Sequence, residues 1–492
     1  MLLTLLLAIP LVAAILCLVA PGRRLLEWAT LLGAVATLGI ALGIAGQVMG
    51  EGHVQGLGEW LYADALSVLT ILIIAFVSGT AALYSIGYLR EDMKEQDPAR
   101  GEGLANLRRY YVLFNLFVFS MLVVPASNSL GVLWIAVEGT TLASLFLVSF
   151  YRTREALEAA WKYVIVGSVG IALALFGTIL TYYSAVQVLG ASYDLKWSVL
   201  LPVTPRLDPA VMRLAFLFIV VGYGTKAGLA PMHTWLPDAH GEAPSPISAL
   251  LSGVLLNTAM YGILRFYALA TPAVGSGYLN ALLLGFGFLS LLVALLFLLQ
   301  QHDYKRMLAY SSVEHMGIVA TGVAFGGSLG LYGALLQLVN HAATKSLMFF
   351  ASGHVLLRYE TKEIDRVSGV TRLMPVTGAM LILGGLALTG SPPFGIFMSE
   401  LAILSAGFKN GLALPALLLL GLIALIFVSF LRYVNRMAFG APAPGVAAGE
   451  FSRLGIFAMG LSLVLVVGLG LVIPAPLGEL LRQAAAVLGG AK

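Results

Sequence analysis

Long apolar stretches separated by short polar loops make up most of this chain. They are rich in Leu, Ala and Gly, and most are long enough for an α-helix to cross the hydrocarbon core of a bilayer. They lack the alternating ten-residue pattern of membrane β-barrel strands. The pattern predicts about 14 transmembrane helices, at residues 3–20, 27–47, 66–88, 110–125, 129–150, 158–185, 211–230, 244–270, 278–300, 306–325, 329–357, 373–407, 413–437 and 454–475.

Glycine and proline interrupt two of these spans beside charged residues. In the seventh span the interruption reaches Pro231 and follows Lys226, and in the twelfth span Pro392 and Pro393 precede Glu400. Both spans are therefore predicted to be broken helices. Because five spans separate them, the second unit would be inverted relative to the membrane. Paired broken helices in inverted units indicate an ion site near the membrane midplane.

This organisation predicts one transmembrane domain over residues 1–492. Its predicted parts are N-terminal spans 1–3 in 1–109, a first five-helix unit of spans 4–8 in 110–270, a second, inverted five-helix unit of spans 9–13 in 278–437, and a last span with a tail in 454–492.

Composition supports an all-α polytopic membrane protein and excludes a soluble one. The chain is 59% hydrophobic and 11% charged, whereas soluble domains carry about 25% charged residues. The single cysteine, Cys17, cannot form an internal disulfide, and no cysteine set exists for an iron–sulfur cluster or a structural zinc. We therefore expect no cofactor in this chain. The net charge of +4 gives no indication of nucleic-acid binding.

The distribution of Lys and Arg predicts the orientation of the chain. Most of the 28 basic residues fall in alternate loops, and such loops usually face the cytoplasm. The predicted location is a multi-pass position in a prokaryotic cytoplasmic (inner) membrane, with both termini outside. The first apolar run has no basic residues before it and is expected to be a retained span rather than a cleaved signal peptide.

Glu138 in span 5 and Lys226 in span 7 are predicted to lie near mid-membrane depth. A lysine at the centre of a membrane helix costs about 2.5–3.5 kcal/mol, so some function or partner should compensate it. A structural ion pair that fixes helix packing is one explanation. The preferred hypothesis is a proton-relay or gating pair, in which movement of the glutamate switches Lys226 between holding and releasing a proton.

Spans 10 to 12 carry further titratable candidates. His341 and Lys345 lie four residues apart and so share one helix face; a lone histidine would be a hydrogen-bonded core residue, but the pair favours a proton pathway. Glu314 and His315 are neighbours that should point in different directions, so at most one is expected to face a given channel, and His315 is favoured. Glu400 is interpreted as the outer end of the path or an interface carboxylate.

A polar cluster follows the first break. His233, Asp238 and His240 resemble a metal-binding set, but no fourth ligand is apparent and Pro237 intervenes. The sequence therefore favours a water-filled inner mouth, beginning at Pro231, over a metal site.

Residues from about 130 to 410 resemble the antiporter-like membrane subunits of respiratory complex I, Mrp-type sodium/proton antiporters and group 4 membrane-bound hydrogenases. The motifs that carry the resemblance lie at 226–231, 240–252, 303–317, His341 with Lys345, and 390–400. The resemblance implies that the family's proton-pathway residues fall on Glu138 in span 5, Lys226 in the broken helix, His341 and Lys345 in span 11, and Glu400 in span 12.

Within this family, residues 243–257 and 309–317 look most like the hydrogenase-4 component F type. The resemblance implies a non-catalytic, proton-translocating subunit of a membrane-bound [NiFe] hydrogenase or formate hydrogenlyase complex. Its implied partners are other membrane subunits, a soluble arm with nickel–iron and iron–sulfur centres, the lipid bilayer, and protons or Na⁺. Three alternatives stay open: a complex I-type quinone oxidoreductase subunit, an Mrp-type Na⁺/H⁺ antiporter subunit, and a structural membrane anchor.

Asn257 departs from the family pattern, because many relatives carry a lysine at this place in span 8. Asparagine cannot hold a proton. Transfer from Lys226 towards span 11 would then need water, or His341 and Lys345, to cover the gap.

Overall fold

The structure, a computed structural model, describes residues 1–94, 102–190 and 194–489. Helices dominate both halves of the chain. The first half contains α1 (Leu2–Val19), α2 (Arg23–Glu51), β1 (His53–Gly56), β2 (Leu61–Asp64), α3 (Ala65–Asp92), α4 (Glu102–Ala126), α5 (Leu130–Val148), α6 (Arg154–Leu189), α7 (Trp197–Leu200), α8 (Pro209–Ala227), α9 (Leu236–Glu242), α10 (Ser245–Leu250) and α11 (Leu256–Val274).

The second half contains α12 (Ser276–Leu299), α13 (Tyr304–Phe325), α14 (Gly327–Tyr359), α15 (Val370–Leu373), α16 (Pro375–Leu388), α17 (Gly395–Lys409), α18 (Ala413–Ala438), α19 (Arg453–Leu471) and α20 (Ala475–Gly489). Short 3₁₀ segments lie at Leu201–Arg206, Met232–Trp235 and Ile364–Arg366, and a π-helical turn at Leu251–Leu255 joins α10 to α11.

The all-α membrane fold predicted from the sequence is confirmed. Within the described residues, 11 helical segments are long and apolar enough to cross a membrane. Helices also occupy the other predicted spans, but α13 and α14 are too polar for that criterion and the break leaves α16 and α17 too short. The count of 14 spans and the unit boundaries stay predictions.

Both predicted helix breaks are present. Helix α8 ends at Gly228, which has a φ of +79°, and the second break contains Gly390 with a φ of +69°; glycine adopts this left-handed conformation without a steric penalty. Backbone groups freed at the first break find partners, since Trp235 Nε1 donates to Thr225 O (2.8 Å) and Ala230 N donates to Ser290 Oγ (2.9 Å). The break prolines Pro231, Pro392 and Pro393 are exposed at the bundle surface.

Helix α14 lies at the centre of the bundle. It packs against α3, α10, α13, α16, α17, α19 and α20, and nearly every side chain from residue 330 to 355 is buried. Helices such as α1, α2, α12 and α18 instead expose apolar side chains. A bilayer solvates such an apolar exterior, and the polar groups are therefore concentrated inside the bundle.

The two ends of the bundle differ. The loops around residues 20–22, 149–153, 300–303 and 360–369 lie at one end, which we call the basic face because most Lys and Arg side chains lie there. The opposite end, the hairpin face, carries the antiparallel pair β1–β2, with His53 opposite Asp64 and Gly56 opposite Leu61. The hairpin was not predicted from the sequence. Cytoplasmic exposure of the basic face stays a prediction.

The C-terminal segment forms an additional helix. The sequence predicted only a tail after the last span, whereas α20 packs against α3, α11 and α14 at the hairpin face. Leu480, Leu481 and Leu488 are buried in this contact.

Candidate ion-translocation site

The first cluster joins helices α5, α6 and α8. Glu138 and Thr141 lie one turn apart on α5, and Lys226 lies in the last turn of α8. The Lys226 ammonium donates a hydrogen bond to Thr141 Oγ1, and this hydroxyl donates to Glu138 Oε2 (3.0 Å). Thr141 therefore stands between the two charges, and in the described residues they form no direct ion pair.

The pocket around the Lys226 ammonium is small and closed. The side chain is fully buried, and its Nζ lies 4.5 Å from the centroid of the Tyr163 ring, a distance at which the ring face attracts a cation. A Cβ on Gly167 would lie only 2.7 Å from this Nζ. A larger residue here would therefore require the Lys226 side chain to shift.

Glu138 lies at the edge of the bundle. Its second carboxylate oxygen accepts a hydrogen bond from Ser168 Oγ (2.9 Å), and the side chain is only half-buried. Ile135 and Leu142, on the same helix, are exposed. The first cluster therefore has a buried end at Lys226 and a peripheral end at Glu138.

The second cluster lies inside the bundle, on α13, α14 and α17. The Lys345 ammonium donates to Leu308 O (2.6 Å) and to Ser311 Oγ. Glu314, one turn after Ser311, is 3% exposed and acts electrostatically on Lys345. Glu400 is also buried and interacts electrostatically with Glu314. Glu314 therefore interacts electrostatically with both Lys345 and Glu400.

The second break leaves room for Glu400. A Cβ on Gly390 would collide with the Glu400 carboxylate, so the break determines how closely the backbone approaches this side chain. Glu400 therefore belongs to the interior of the cluster. The interpretation of Glu400 as an interface carboxylate is not supported by this burial.

Glu314 and His315 contact different polar neighbours, and the expectation that at most one of them faces a given channel stays a prediction. Both are buried, Glu314 beside Lys345 and His315 beside His341. The reason is that α13 is buried on nearly all sides from Met307 to Phe325, so consecutive residues both meet polar neighbours. The sequence does contain one indication of this burial: α13 has no continuous apolar face that could contact lipid.

Two histidines form a further polar pair. The His315 and His341 ring centroids are 5.3 Å apart. Gln337 Nε2 donates to His315 Nδ1 (2.9 Å), while Gln337 Oε1 accepts from Ser399. The proton of a neutral His315 then lies on Nε2. That nitrogen and both His341 nitrogens are buried without a hydrogen-bond partner among the described residues, which is unusual for buried polar atoms.

Asn257 lies where α11 contacts α14. Its amide Nδ2 donates to Leu338 O (3.1 Å), and its buried Oδ1 has no partner within the described residues. The helices approach closely nearby, since a Cβ on Gly253 would lie 3.1 Å from Ala342 O. The residue therefore occupies a contact between α11 and α14, the helix that carries His341.

The polar residues after the first break do not converge. Asp238 accepts hydrogen bonds from Arg306 and from Lys162 (3.1 Å), His240 Nδ1 contacts Leu236 O (2.7 Å), and His233 packs beside Phe297. No group of three or more His, Cys, Asp or Glu residues in the described ranges could hold a metal ion. Asp238 instead joins three helices at the basic face.

Sequence reasoning missed a buried ion pair at the hairpin face. Arg265 donates to both carboxylate oxygens of Asp64 at 2.6 Å, and its guanidinium lies 4.4 Å from the Trp197 ring centroid. Burial by itself would raise the pKa of Asp64, but the Arg265 charge outweighs it and holds this pKa below the usual value. The partners are 201 positions apart, so no local pattern could reveal them.

The structure combines two broken helices with buried lysine, glutamate and histidine residues inside the bundle. These features define a class of polytopic membrane protein with a row of polar residues inside the membrane.

Comparison with known families agrees with this class. Residues 127–427 match the family described as "NADH:quinone oxidoreductase/Mrp antiporter, TM". Residues 60–97 match "NADH-Ubiquinone oxidoreductase (complex I), chain 5 N-terminus". The chain belongs to this family of antiporter-like membrane subunits, as the sequence resemblance implied.

Curated relatives come from two kinds of complex. The chain is 41% identical over 388 residues to the "Hydrogenase-4 component F homolog" of Methylacidiphilum infernorum, which covers 78% of this chain and 80% of the relative. It is 30% identical over 425 residues to "NADH-quinone oxidoreductase subunit N" of Desulforudis audaxviator, covering 85% and 81%. The predicted likeness to component F is therefore confirmed.

Two solved structures share the fold over almost the full length. A chain of the archaeal membrane-bound sulfane sulfur reductase is 27% identical, with a TM-score of 0.86 and coverage of 99% of this chain and 97% of that chain. A chain of the Mrp complex from Dietzia sp. DQ12-45-1b has the same TM-score and coverage at 20% identity. The second likeness shows the fold alone.

Proposed function

We propose that this chain is a proton-translocating subunit of a membrane-bound [NiFe] hydrogenase or formate hydrogenlyase complex. Partner subunits with nickel–iron and iron–sulfur centres would carry out the electron transfer. Their redox energy would be coupled to proton movement through the buried lysine, glutamate and histidine residues of this chain.

One observation supports this proposal above the others: a hydroxyl stands between the lysine and the glutamate of the first cluster. Lys226 donates to Thr141 Oγ1, and this hydroxyl donates to Glu138 Oε2 (3.0 Å). A structural ion pair would bring ammonium and carboxylate into direct contact. A hydroxyl between them can accept one proton while donating another, which suits proton transfer rather than permanent pairing.

The proposed route follows the order of these groups through the bundle. It begins at Glu138 and Lys226, passes Asn257, and continues through His341 and Lys345. Glu314 and Glu400 form its far end, and His315 supports His341 from the side. Asn257 is the weakest step, because its amide cannot take up a proton and water would have to bridge it.

The choice of redox partner is supported by the component F homolog, which is 41% identical to this chain. A complex I-type role is the second candidate, because a quinone oxidoreductase subunit is 30% identical over 85% of this chain. The two candidates share the proposed route and differ in the soluble subunits.

The test is purification of the intact complex through a tag on this chain, followed by reconstitution in liposomes with a pH-sensitive dye. We expect nickel–iron and iron–sulfur subunits to co-purify, and hydrogen-linked turnover to move protons in a manner that uncouplers abolish. Co-purification of NADH- or quinone-reactive subunits would favour the second candidate. If turnover requires Na⁺ and moves Na⁺, the transported ion is Na⁺ and not the proton. Turnover without any ion movement would contradict the proposal.

A further inference from the structure

Lys305 is a buried lysine that the proposed route does not use. It lies in the first turn of α13, near the basic face, and is 1% exposed. Its ammonium donates to a single acceptor, Ala243 O, at 2.6 Å, and the described residues provide no carboxylate within ion-pair distance. A buried ammonium with one neutral acceptor is poorly compensated, so its charge should have a use.

Acidic and hydroxyl groups connect this lysine to the surface. The positive charge of Lys362 opposes that of Lys305, whereas three carboxylates favour it: Asp303, Glu242 and Asp92. The Tyr151 hydroxyl donates to Asp92 Oδ2 (3.0 Å) and lies 3.0 Å from the hydroxyl of the buried Tyr88. Tyr151 is 38% exposed. Protons from water can therefore reach Asp92 at the basic face.

On the other side of Lys305 lies a histidine with a free nitrogen. His240 Nδ1 is 2.7 Å from Leu236 O, and because a carbonyl only accepts, the ring proton of neutral His240 lies on Nδ1. Its Nε2 is then basic, and it is buried without a hydrogen-bond partner in the described part of the chain. His240 lies three residues before Ala243, the acceptor of Lys305. Its ring centroid is 5.9 Å from that of Phe349, which follows Lys345 by one turn on α14, and His240 interacts electrostatically with both lysines.

We propose that Lys305 is a proton-binding residue that links the basic face to the second cluster through His240. The Lys305 ammonium gives one proton to His240 Nε2 and becomes a neutral amine. The amine regains a proton from water through Tyr151 and Asp92. The His240 imidazolium passes its proton to Lys345 after the Lys345 ammonium has given its own proton to the main route, so each cycle moves one proton from water into that route. No proton is gained or lost by the chain over the cycle. This inference rests on the proposed function, and it gives the second cluster its own uptake branch.

A purely structural role makes a different prediction. Ala243 is the C-cap residue of α9, and a cation at a helix C-terminus stabilises the terminal carbonyls. Arginine would keep that interaction, because it retains the positive charge and the hydrogen-bond donors. Arginine does not release a proton under ordinary conditions. Lys305→Arg therefore separates a helix cap from a proton-binding residue.

The experiment measures turnover-driven proton movement in liposomes that contain the intact complex with Lys305→Arg. We expect the complex to assemble and its proton movement per turnover to fall at least about tenfold, a smaller loss than the roughly 100-fold or more expected when an acid–base group of the main route is removed. The matched control is Lys94→Arg, an exposed lysine at the same face that pairs with Glu91, and it should behave like the wild type. Wild-type proton movement in Lys305→Arg would overturn the inference.

A second variant keeps the test decisive if Lys305→Arg fails to assemble. Asp92→Asn removes the carboxylate at the surface end and should lower proton movement at least about threefold; an unchanged rate would overturn the inference. Lys226→Ala serves as the reference for the main route. If the wild-type complex moves no protons, the proposed function fails; if only Lys226→Ala loses transport, the main route stands and the Lys305 branch fails.

Discussion

The two lysine clusters use the same groups but connect them differently. In the first cluster the Thr141 hydroxyl is hydrogen-bonded to both Lys226 and Glu138. In the second, Ser311 accepts from Lys345 but donates to Leu308 O (2.9 Å), so it does not reach Glu314. The first cluster is a continuous hydrogen-bonded chain, and the second is an electrostatic group without that link.

Burial also separates the clusters. Glu138 is half-buried at the bundle edge, whereas Glu314 is buried and interacts electrostatically with Lys345 and Glu400. The first carboxylate can respond to groups outside this chain, such as a neighbouring subunit. The second can respond only to groups within the bundle.

Removing a lysine should have the largest effect. Lys226→Ala and Lys345→Ala should each reduce turnover-driven proton movement by at least about 100-fold, the range for loss of an acid–base group, while the complex stays assembled. The measurement is dye acidification per turnover in liposomes. The exposed Lys409→Ala is the control and should have no effect. Normal transport in either buried variant would remove that cluster from the route.

The difference in hydrogen bonding predicts a difference between two hydroxyl variants. Thr141→Val keeps the side-chain shape but breaks the link from Lys226 to Glu138, so transport should fall about tenfold, or about 1.4 kcal/mol. Ser311→Ala leaves Lys345 its bond to Leu308 O, and transport should fall only about twofold. The same liposome measurement compares them. Equal losses in both variants would mean that the hydrogen-bonded chain in the first cluster has no special role.

The second break should tolerate a methyl group poorly. Gly390→Ala places a side chain at a φ of +69° and against the Glu400 carboxylate. We expect the melting temperature of the purified complex to fall, by about 1 kcal/mol or more of stability, and transport to fall several-fold. Gly421→Ala is the control, because open space surrounds Gly421 in α18. A neutral Gly390→Ala would show that Glu400 does not need this close approach.

The smallest effect on transport is expected at Asn257, where α11 contacts α14. Asn257→Lys should be tolerated or should raise transport modestly, up to about twofold, because it adds a titratable group where the route lacks one. Asn257→Leu keeps the branched shape but removes the amide, and it should lower transport by a similar factor of up to about twofold. Loss of assembly in Asn257→Lys would instead indicate that the bond to Leu338 O is needed for packing.

Much of the fold followed from local patterns in the sequence. Apolar runs predict membrane helices because a bilayer requires every backbone polar group to be satisfied within a helix. The breaks at Gly228 and Gly390 were visible because glycine and proline end helices by their own geometry. Lys226, His341, Lys345 and Glu400 stood out because charged or titratable groups are rare in apolar helices.

The connections between these residues could not be derived in the same way. Lys226 and Thr141 are 85 positions apart, and Asp64 and Arg265 are 201 apart; such contacts depend on how whole helices pack. The same is true of Glu314, whose role depends on α13 being enclosed on all sides. The sequence by itself determined which residues are too polar for a membrane. Only the tertiary structure decided which hydroxyl, carboxylate or carbonyl meets each of them, because hydrogen bonds require positions correct to within about an ångström.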